Sequence, residues 1–186
     1  MREAEVVAQL RHARMVPVAT LADGDRAEVV ARALLQRGID CLEVTFRTPD
    51  AVQALRRARA VDGLLVGAGT VLDPAQAHQA AEAGAHFAVA PGTNPAVVAA
   101  CRELGLPFFP GVATPSEVET ARSLGCTTVK VFPAAQLGGP DFLRALAAVY
   151  PDVRFLPTGG IGPDTAEAYL EIPAVLAVGG SWLVPA

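Results

Sequence analysis

The sequence predicts an α/β protein whose parallel strands close into a (β/α)8 TIM barrel, with residues 1–186 forming a single domain. Eight short apolar runs alternate with segments of helical pattern, which indicates parallel strands joined by helical crossovers. Eight such units close most naturally into a barrel. An open doubly wound sheet is the second possibility, but the stretch ATLADGD after the first run lacks the G-x-G-x-x-G loop of that fold.

The second observation is that prolines and glycines mark the ends of the helical segments. Proline suits the first helical position, where its missing N–H costs nothing, and glycine suits the position after a helix ends. The expected helix starts lie at Pro49, Pro74, Pro95, Pro115, Pro140 and Pro163. Capping residues precede four of these prolines, namely Thr48, Asp73, Asn94 and Thr114, and four helical segments end at Gly38, Gly84, Gly105 and Gly125.

The eight expected strands fill the stretches between these marks. In chain order they are MVPVAT, CLEVTF, LLVGAG, FAVA, PFFPG, TTVKVF, RFLPTGG and VLAVGG. No linker or change of composition divides the chain, which favours one domain. Only SWLVPA follows the last run, so we expect the closing C-terminal helix to be missing from this sequence.

Composition argues against several classes of partner. The net charge is −4 and no basic run is present, so neither nucleic acid nor an anionic membrane surface is an expected partner. No apolar stretch approaches the roughly 20 residues that span a bilayer, and the charged N-terminus is not a signal peptide. Cys41, Cys101 and Cys126 are odd in number and far apart, which favours reduced thiols in a cytoplasmic protein.

A catalytic metal is not expected either. The sequence contains no H-E-x-x-H motif and no other cluster of histidines and carboxylates. His12, His78 and His86 fall in expected helices or at the start of a strand. The active site of a barrel of this kind lies at the carboxyl ends of the strands, so helix-surface or supporting roles are favoured for these histidines.

The run TTVKVF places a lysine inside an apolar strand. Side chains alternate between the two faces of a strand, so the apolar Val129 and Val131 face the helices and Lys130 faces the barrel interior. The same alternation in CLEVTFR places Glu43, Thr45 and Arg47 on one face, so Glu43 and Arg47 point inward. An amine and a carboxylate are therefore expected to share one interior.

A buried ion pair that serves only the fold is the alternative explanation of this lysine. Such pairs contribute little to stability, because the cost of desolvating both charges tends to cancel their attraction. A functional role is therefore favoured. Burial disfavours the charged form of a lysine and lowers its pKa, and the free amine can then attack a ketone to form a Schiff base. Glu43, the one carboxylate at the chemical end of any strand, is the candidate general acid and base for Lys130.

Other polar residues end neighbouring strands. Arg47 and Thr70 are candidates for binding a carboxylate, although a surface salt bridge for Arg47 and helix capping for Thr70 are alternatives. Two glycine pairs end the seventh and eighth strands, where backbone N–H groups often bind phosphate in this architecture. The candidate phosphate ligands are Gly159, Gly160, Gly179, Gly180 and Ser181, and Thr158 ends the seventh strand beside them. Phe132 shares the inward face of Lys130 and is expected to pack against a bound keto acid.

The motifs LEVTFRT, VGAGTV, APGTNP, FFPGVATPSE, VKVFPA, PTGGI and VGGSWLVP together resemble the class I KDPG/KHG aldolases. These are the 2-keto-3-deoxy-6-phosphogluconate and 4-hydroxy-2-oxoglutarate aldolases of the Entner–Doudoroff route. The motifs occur in the same order from the second strand to the end of the chain, so the resemblance covers nearly all of it. It implies a cytoplasmic homotrimeric TIM barrel that needs no cofactor or metal.

The resemblance also implies roles for single residues. Lys130 would form the imine and Glu43 would transfer protons, while Arg47 and Thr70 would contact the carboxylate of pyruvate. The two glycine pairs and Ser181 would bind the phosphate. The implied reaction is reversible cleavage to pyruvate and glyceraldehyde 3-phosphate. Some relatives have a basic residue just after the first strand, but the stretch ATLADGD has none. Whether the substrate must be phosphorylated is therefore left open.

Two other hypotheses remain open at this point. A phosphate-binding barrel isomerase or synthase without an imine would have similar glycine loops, but it gives no reason for an inward lysine at position 130. A binder of phosphorylated metabolites without catalysis would be stabilised by ligand and show no turnover. The retained acid and amine argue against this last possibility.

Overall fold

The computed structural model describes residues 1–185 and consists of two parallel β-sheets with helices packed around them. The strands are β1 (Met15–Ala19), β2 (Cys41–Thr45), β3 (Leu65–Gly69), β4 (Phe87–Val89), β5 (Phe108–Phe109), β6 (Gly111–Val112), β7 (Thr128–Val131), β8 (Arg154–Pro157) and β9 (Val178–Gly180). The helices are α1 (Glu3–Ala13), α2 (Arg26–Gln36), α3 (Ala51–Arg59), α4 (Pro74–Glu82), α5 (Pro95–Glu103), α6 (Pro115–Ser123), α7 (Gly139–Val149) and α8 (Pro163–Leu170), and a 3₁₀ turn covers Ser181–Leu183.

The strands pair in parallel within two sheets rather than one. Six strands lie in the order β5-β4-β3-β2-β1-β9, and three in the order β6-β7-β8. The expected fifth strand is broken at Pro110, so that Phe108–Phe109 pairs with β4 and Gly111–Val112 with β7. Proline has no N–H to donate to a strand ladder, which accounts for an interruption at this residue.

The edge strands β8 and β9 of the two sheets also lie next to each other. Two isolated parallel bridges, Phe155 with Val175 and Thr158 with Gly179, join the β8 region to the β9 region. The alternation of strands and helices and the parallel pairing predicted from the sequence are confirmed. Closure of all the strands into one (β/α)8 barrel stays a prediction.

Proline positions predict most helix starts correctly. Pro74, Pro95, Pro115 and Pro163 each open a helix, and Pro140 is the second residue of α7. The prediction at Pro49 is wrong, because α3 begins at Ala51 after the N-cap Asp50. Thr48, which was expected to cap this helix, instead donates its hydroxyl to the Leu21 carbonyl at 2.7 Å.

The apolar core lies on both faces of the sheet. Leu42, Val44 and their counterparts on neighbouring strands pack outward against the helices. On the concave face, Cys41 and Leu65 occupy the first positions of β2 and β3. Val6 and Leu10 of α1 pack against these concave-face residues, so α1 covers the amino ends of the strands and leaves the carboxyl ends for a site.

Candidate active site

The centre of the site is a contact between Lys130 of β7 and Glu43 of β2. The amine Nζ lies 3.1 Å from Glu43 Oε1 and 3.3 Å from Oε2, although the two residues are far apart in sequence. Lys130 is 5% exposed and Glu43 is 3% exposed. The amine is therefore held by both carboxylate oxygens in a place almost closed to solvent.

Strand alternation brings these two side chains together. Val129 and Val131 pack among the helix-facing core residues, which leaves Lys130 on the concave face, as predicted. In the strand pairing, Lys130 lies between Gly111 and Leu156. The small neighbour on β6 leaves room for a long side chain on that face.

Gly69, at the end of β3, leaves room for the carboxylate. A Cβ atom at this position would overlap the Glu43 side chain, with Oε1 as the nearest atom and Cγ at 2.7 Å. Gly69 pairs with Thr45 in the register of β2 and β3, just beyond the acid. Glu43 therefore occupies space that only a glycine at position 69 leaves open.

Arg47 and Thr70, the two candidates for binding a carboxylate, contact each other after the carboxyl ends of β2 and β3. Arg47 Nε donates to Thr70 Oγ1 at 3.3 Å, and the Arg47 side chain is exposed. Thr70 has a φ of 60°, a left-handed conformation that costs free energy in a residue with a side chain. The pair supplies a cation and a hydroxyl where a carboxylate could bind.

The glycine loops border a cavity of about 220 Å³ at the carboxyl ends of β8 and β9. Gly159 and Gly160 have φ values of 99° and 71°, which favour glycine. Added Cβ atoms would crowd Phe132 at Gly159, the Ala135 side chain at Gly160 and the Thr158 hydroxyl at Gly179. The predicted phosphate ligands Gly159, Gly160, Gly179, Gly180 and Ser181 all line this cavity.

Thr158 and Phe132 lie between the amine and this cavity. Thr158 is buried and lines both the outer cavity and a much smaller one beneath Lys130. The Phe132 ring centroid is 5.9 Å from Lys130 Nζ, and the ring is half-buried. An electron-rich ring face at this distance attracts a cationic nitrogen.

Thr20, which lines the same cavity, contacts the buried Thr45 through its hydroxyl, a pairing that the sequence does not predict. Thr45 Oγ1 lies 2.8 Å from Thr20 Oγ1, where Thr45 is fully buried and Thr20 is exposed at the end of β1. Alternation had placed Thr45 on the inward face of β2. The signal at Thr20 is its place as the polar last residue of the expected strand MVPVAT, at the carboxyl end where site residues of a barrel lie.

The histidines and cysteines lie away from the site. His12 and His78 are exposed on α1 and α4, and His86 precedes β4, where its Nδ1 accepts a hydrogen bond from the Val66 N–H at 2.9 Å. Burial lowers the pKa of His86 to about 4, with a smaller contribution from Arg59. The three cysteines are free, and burial raises the pKa of Cys41 and of Cys101 to about 12.

Residues 1–185 lack both a metal-binding cluster and a membrane-spanning helix. No three or more His, Cys, Asp and Glu side chains come together in a group that could hold a metal ion. Among these residues there is also no helix with the length and apolarity needed to cross a membrane.

Known proteins share both the sequence and the fold. Residues 6–186 match the family described as KDPG and KHG aldolase. A 2-dehydro-3-deoxy-phosphogluconate aldolase of Treponema pallidum (strain Nichols) is 49% identical over 180 residues, which cover 95% of this chain and 85% of that protein.

Two solved structures are similar over almost the whole chain. The 2-keto-3-deoxy-6-phosphogluconate aldolase of Zymomonas mobilis ZM4, crystallised with 3-phosphoglycerate, is 42% identical with a TM-score of 0.94, covering 100% of this chain and 88% of that one. A KDPG aldolase from Legionella pneumophila, with pyruvate captured at low pH as a covalent carbinolamine, is 41% identical with a TM-score of 0.91, covering 96% and 87%. The protein described here therefore belongs to the KDPG and KHG aldolase family.

Proposed function

We propose that this protein is a Schiff-base aldolase that reversibly cleaves 2-keto-3-deoxy-6-phosphogluconate to pyruvate and glyceraldehyde 3-phosphate. It would also cleave 4-hydroxy-2-oxoglutarate to pyruvate and glyoxylate. The observation that carries the proposal is the buried contact between Lys130 and Glu43 at the carboxyl ends of the strands. Family membership supports it.

Imine formation is the first step. The neutral amine of Lys130 attacks the C2 ketone, and the resulting carbinolamine takes a proton from Glu43 on its hydroxyl and loses water to give a protonated imine. Glu43 is within hydrogen-bonding distance of the amine and can accept the proton that Lys130 must lose before attack. The Legionella pneumophila relative, captured with pyruvate as a covalent carbinolamine, supports this step.

Cleavage follows from the electron demand of the imine. Glu43 removes the proton of the C4 hydroxyl, the C3–C4 bond breaks, and its electron pair moves toward the imine to form an enamine. The aldehyde leaves, Glu43 helps to return a proton to C3, and hydrolysis of the imine releases pyruvate. The protonated imine accepts the electrons throughout, so the proposed chemistry requires neither a metal nor a cofactor.

The remaining groups hold the two ends of the substrate. Arg47 and Thr70 bind the pyruvate carboxylate, and Phe132 and Thr158 line the space around the reacting carbons. The backbone amides of the two glycine pairs and the Ser181 hydroxyl bind the phosphate. The cavity bordered by these loops supports the last assignment.

The wider setting is proposed from the same family. The chain would form one domain, close its strands into a (β/α)8 barrel and assemble as a homotrimer. It would act in the cytoplasm in the Entner–Doudoroff pathway.

Reductive trapping tests the imine directly. The protein is incubated with pyruvate and borohydride, and the modified residue is located by peptide mass spectrometry. The expected result is a single adduct on Lys130 together with loss of activity, and the Lys130→Arg variant should be inactive and unmodified. An unlabelled and fully active protein, or an active Lys130→Arg variant, would favour an isomerase or synthase without an imine.

A substrate comparison tests the phosphate assignment. In a coupled pyruvate assay, kcat/KM for the six-carbon phosphorylated substrate should exceed that for 4-hydroxy-2-oxoglutarate. Near-equal values would mean that the glycine loops contribute little in the transition state.

A further inference from the structure

We infer that Thr20 is a specificity-determining residue, whose hydroxyl is oriented by the buried Thr45 to donate a hydrogen bond to an oxygen of the aldehyde-side half of the substrate. The inference extends the proposed aldolase function and rests on it. It adds a neutral donor directly after β1, the strand that pairs with β9 beside Gly179 and Gly180.

The direction of the hydrogen bond between the two hydroxyls follows from burial. Thr45 is 0% exposed, and within residues 1–185 its Oγ1 has one hydrogen-bond partner, Thr20 Oγ1 at 2.8 Å. A buried hydroxyl proton without an acceptor is costly, so Thr45 donates and Thr20 accepts. The proton of the Thr20 hydroxyl then remains available to another acceptor.

The position of Thr20 indicates where the acceptor of this proton would lie. Thr20 lines the same cavity as the glycine loops, Ser181 and Arg47. The pairing of Val18 with Glu43 and of Ala19 with Val44 continues to Thr20 and Thr45, so both hydroxyls lie on the concave face. A ligand held by the glycine loops in this cavity would therefore lie within reach of the Thr20 hydroxyl.

The chemistry of the two proposed substrates makes the donor selective. Both substrates carry a C4 hydroxyl just beyond the bond that breaks. The six-carbon substrate continues with a C5 hydroxyl and a C6 phosphate, whose oxygens accept hydrogen bonds, whereas 4-hydroxy-2-oxoglutarate is one carbon shorter and ends in a C5 carboxylate. The Thr20 donor should therefore increase kcat/KM more for the longer substrate.

Three variants test the inference. Thr20→Val keeps the shape of the side chain and removes the donor, whereas Thr20→Ser keeps the donor and removes a methyl group. Thr45→Val keeps Thr20 but removes the group that orients it. The measured quantity is the ratio of kcat/KM for 2-keto-3-deoxy-6-phosphogluconate to that for 4-hydroxy-2-oxoglutarate.

The expected ratio falls about tenfold in Thr20→Val, the size of effect typical of one lost hydrogen bond. It should fall by a smaller factor in Thr45→Val and stay close to wild type in Thr20→Ser. An unchanged ratio in Thr20→Val, or equal falls in the Val and Ser variants, would overturn the inference. If Thr20→Val does not fold, the ratio in Thr45→Val decides, and no change there overturns it.

The failure of the proposed function would be recognised separately. Borohydride trapping of pyruvate on Lys130 in the wild-type protein depends on the imine and not on Thr20. A trapped adduct with an unchanged ratio would reject the role of Thr20 alone. Absence of the adduct in the wild type would reject the aldolase itself.

Discussion

At the scale of single residues, the site depends on two opposite charges that are almost closed to solvent. Lys130 and Glu43 form an ion pair at 3.1 Å, with side-chain exposures of 6% and 4%. Removing one partner of such a pair leaves a buried charge uncompensated, whereas replacing both by apolar groups is often neutral or stabilising. If the pair is retained for catalysis, the wild-type protein should be less stable than a variant in which both residues are replaced by apolar ones.

The first prediction separates catalysis from stability at this pair. Lys130→Met should lower the free energy of unfolding by about 3–5 kcal/mol, because Glu43 is left unpaired. The double variant Lys130→Met, Glu43→Leu should recover most of this loss or exceed the wild type, and both variants should be inactive. Urea unfolding monitored by circular dichroism measures the stabilities. A double variant no more stable than the single one would mean that the pair supports the fold.

The second prediction concerns Gly69, which makes room for the acid. In Gly69→Ala the new methyl group would overlap the Glu43 carboxylate and displace it from Lys130. We expect kcat to fall about 100-fold or more, the range typical of a mispositioned general acid or base, with a smaller change in KM.

The matched control for this substitution is Gly92→Ala, where an added Cβ meets open space and the backbone φ is not positive. The control should stay close to wild type in kcat and in melting temperature. A Gly69→Ala protein that keeps wild-type kcat would show that Glu43 tolerates displacement and that its position beside Lys130 is not critical.

At the scale of elements, helix starts and strand ends determine which residues surround the cavity. The N-caps Asp73, Asn94 and Thr114 each accept a hydrogen bond from the first turn of their helices. The loop after β7 is tied to the end of β8, because Ala134 N donates to the Thr158 carbonyl and Ala135 N to the Gly159 carbonyl. These bonds fix the glycine loop relative to Lys130.

The third prediction belongs to the start of α6. Thr114 Oγ1 accepts from Glu117 N at 3.3 Å, and Glu117 Oε2 accepts from Ala113 N at 2.6 Å. Thr114→Ala should lower the free energy of unfolding by about 1 kcal/mol, because capping donors lose their partner. The same change at Thr120, in the interior of the same helix, should have a smaller effect. Equal losses in chemical denaturation would contradict a capping role.

The helix starts and strand breaks show which features of the fold can be predicted from sequence alone. Proline and glycine positions predicted five of six helix starts, since both residues restrict the backbone locally. The start at Pro49 was missed because the chain makes a turn before Asp50, where the Thr48 hydroxyl bonds to the distant Leu21 carbonyl. Pro110 inside the expected strand PFFPG is a local signal for a break, but the pairing of its two halves with different strands is a long-range contact that no local pattern contains.

The candidate site was predictable to a similar extent. Alternation placed Lys130 and Glu43 on one face, and the structure brings them together. It placed Thr45 there as well, but its partner Thr20 lies on a different strand, and their contact depends on the register of β1 with β2. Gly69 was read only as part of a strand end, because the overlap it avoids is a three-dimensional contact.

At the scale of the whole molecule, stability against acid depends on a histidine far from the site. His86 is half-buried, and burial lowers its pKa to about 4 in the folded protein from 6.5. Its Nδ1 accepts a hydrogen bond from Val66 N, and protonation of this nitrogen would remove the acceptor. The unfolded chain therefore binds the proton more readily between these two pKa values.

The fourth prediction follows with a definite sign. The contribution of His86 to stability is fully present above pH 6.5 and is lost as the pH falls toward 4, by an amount on the order of 1 kcal/mol, reduced because the ring is half-exposed. The difference in unfolding free energy between wild type and His86→Gln should therefore shrink from pH 7 to pH 4.5. The exposed His78→Gln variant should show no such trend. A difference for His86→Gln that does not change with pH would contradict the assignment.

Because α1 covers the amino ends of the strands, the order in which products leave the site can be predicted. Val6 and Leu10 close the deep end of the concave face, and the cavity beneath Lys130 holds only about 10 Å³. Ligands then enter and leave through one opening, with the aldehyde fragment nearer to that opening than the carbons joined to the lysine. Under the proposed mechanism the aldehyde must depart first and pyruvate last, so pyruvate should act as the competitive product inhibitor of cleavage and the aldehyde as the noncompetitive one.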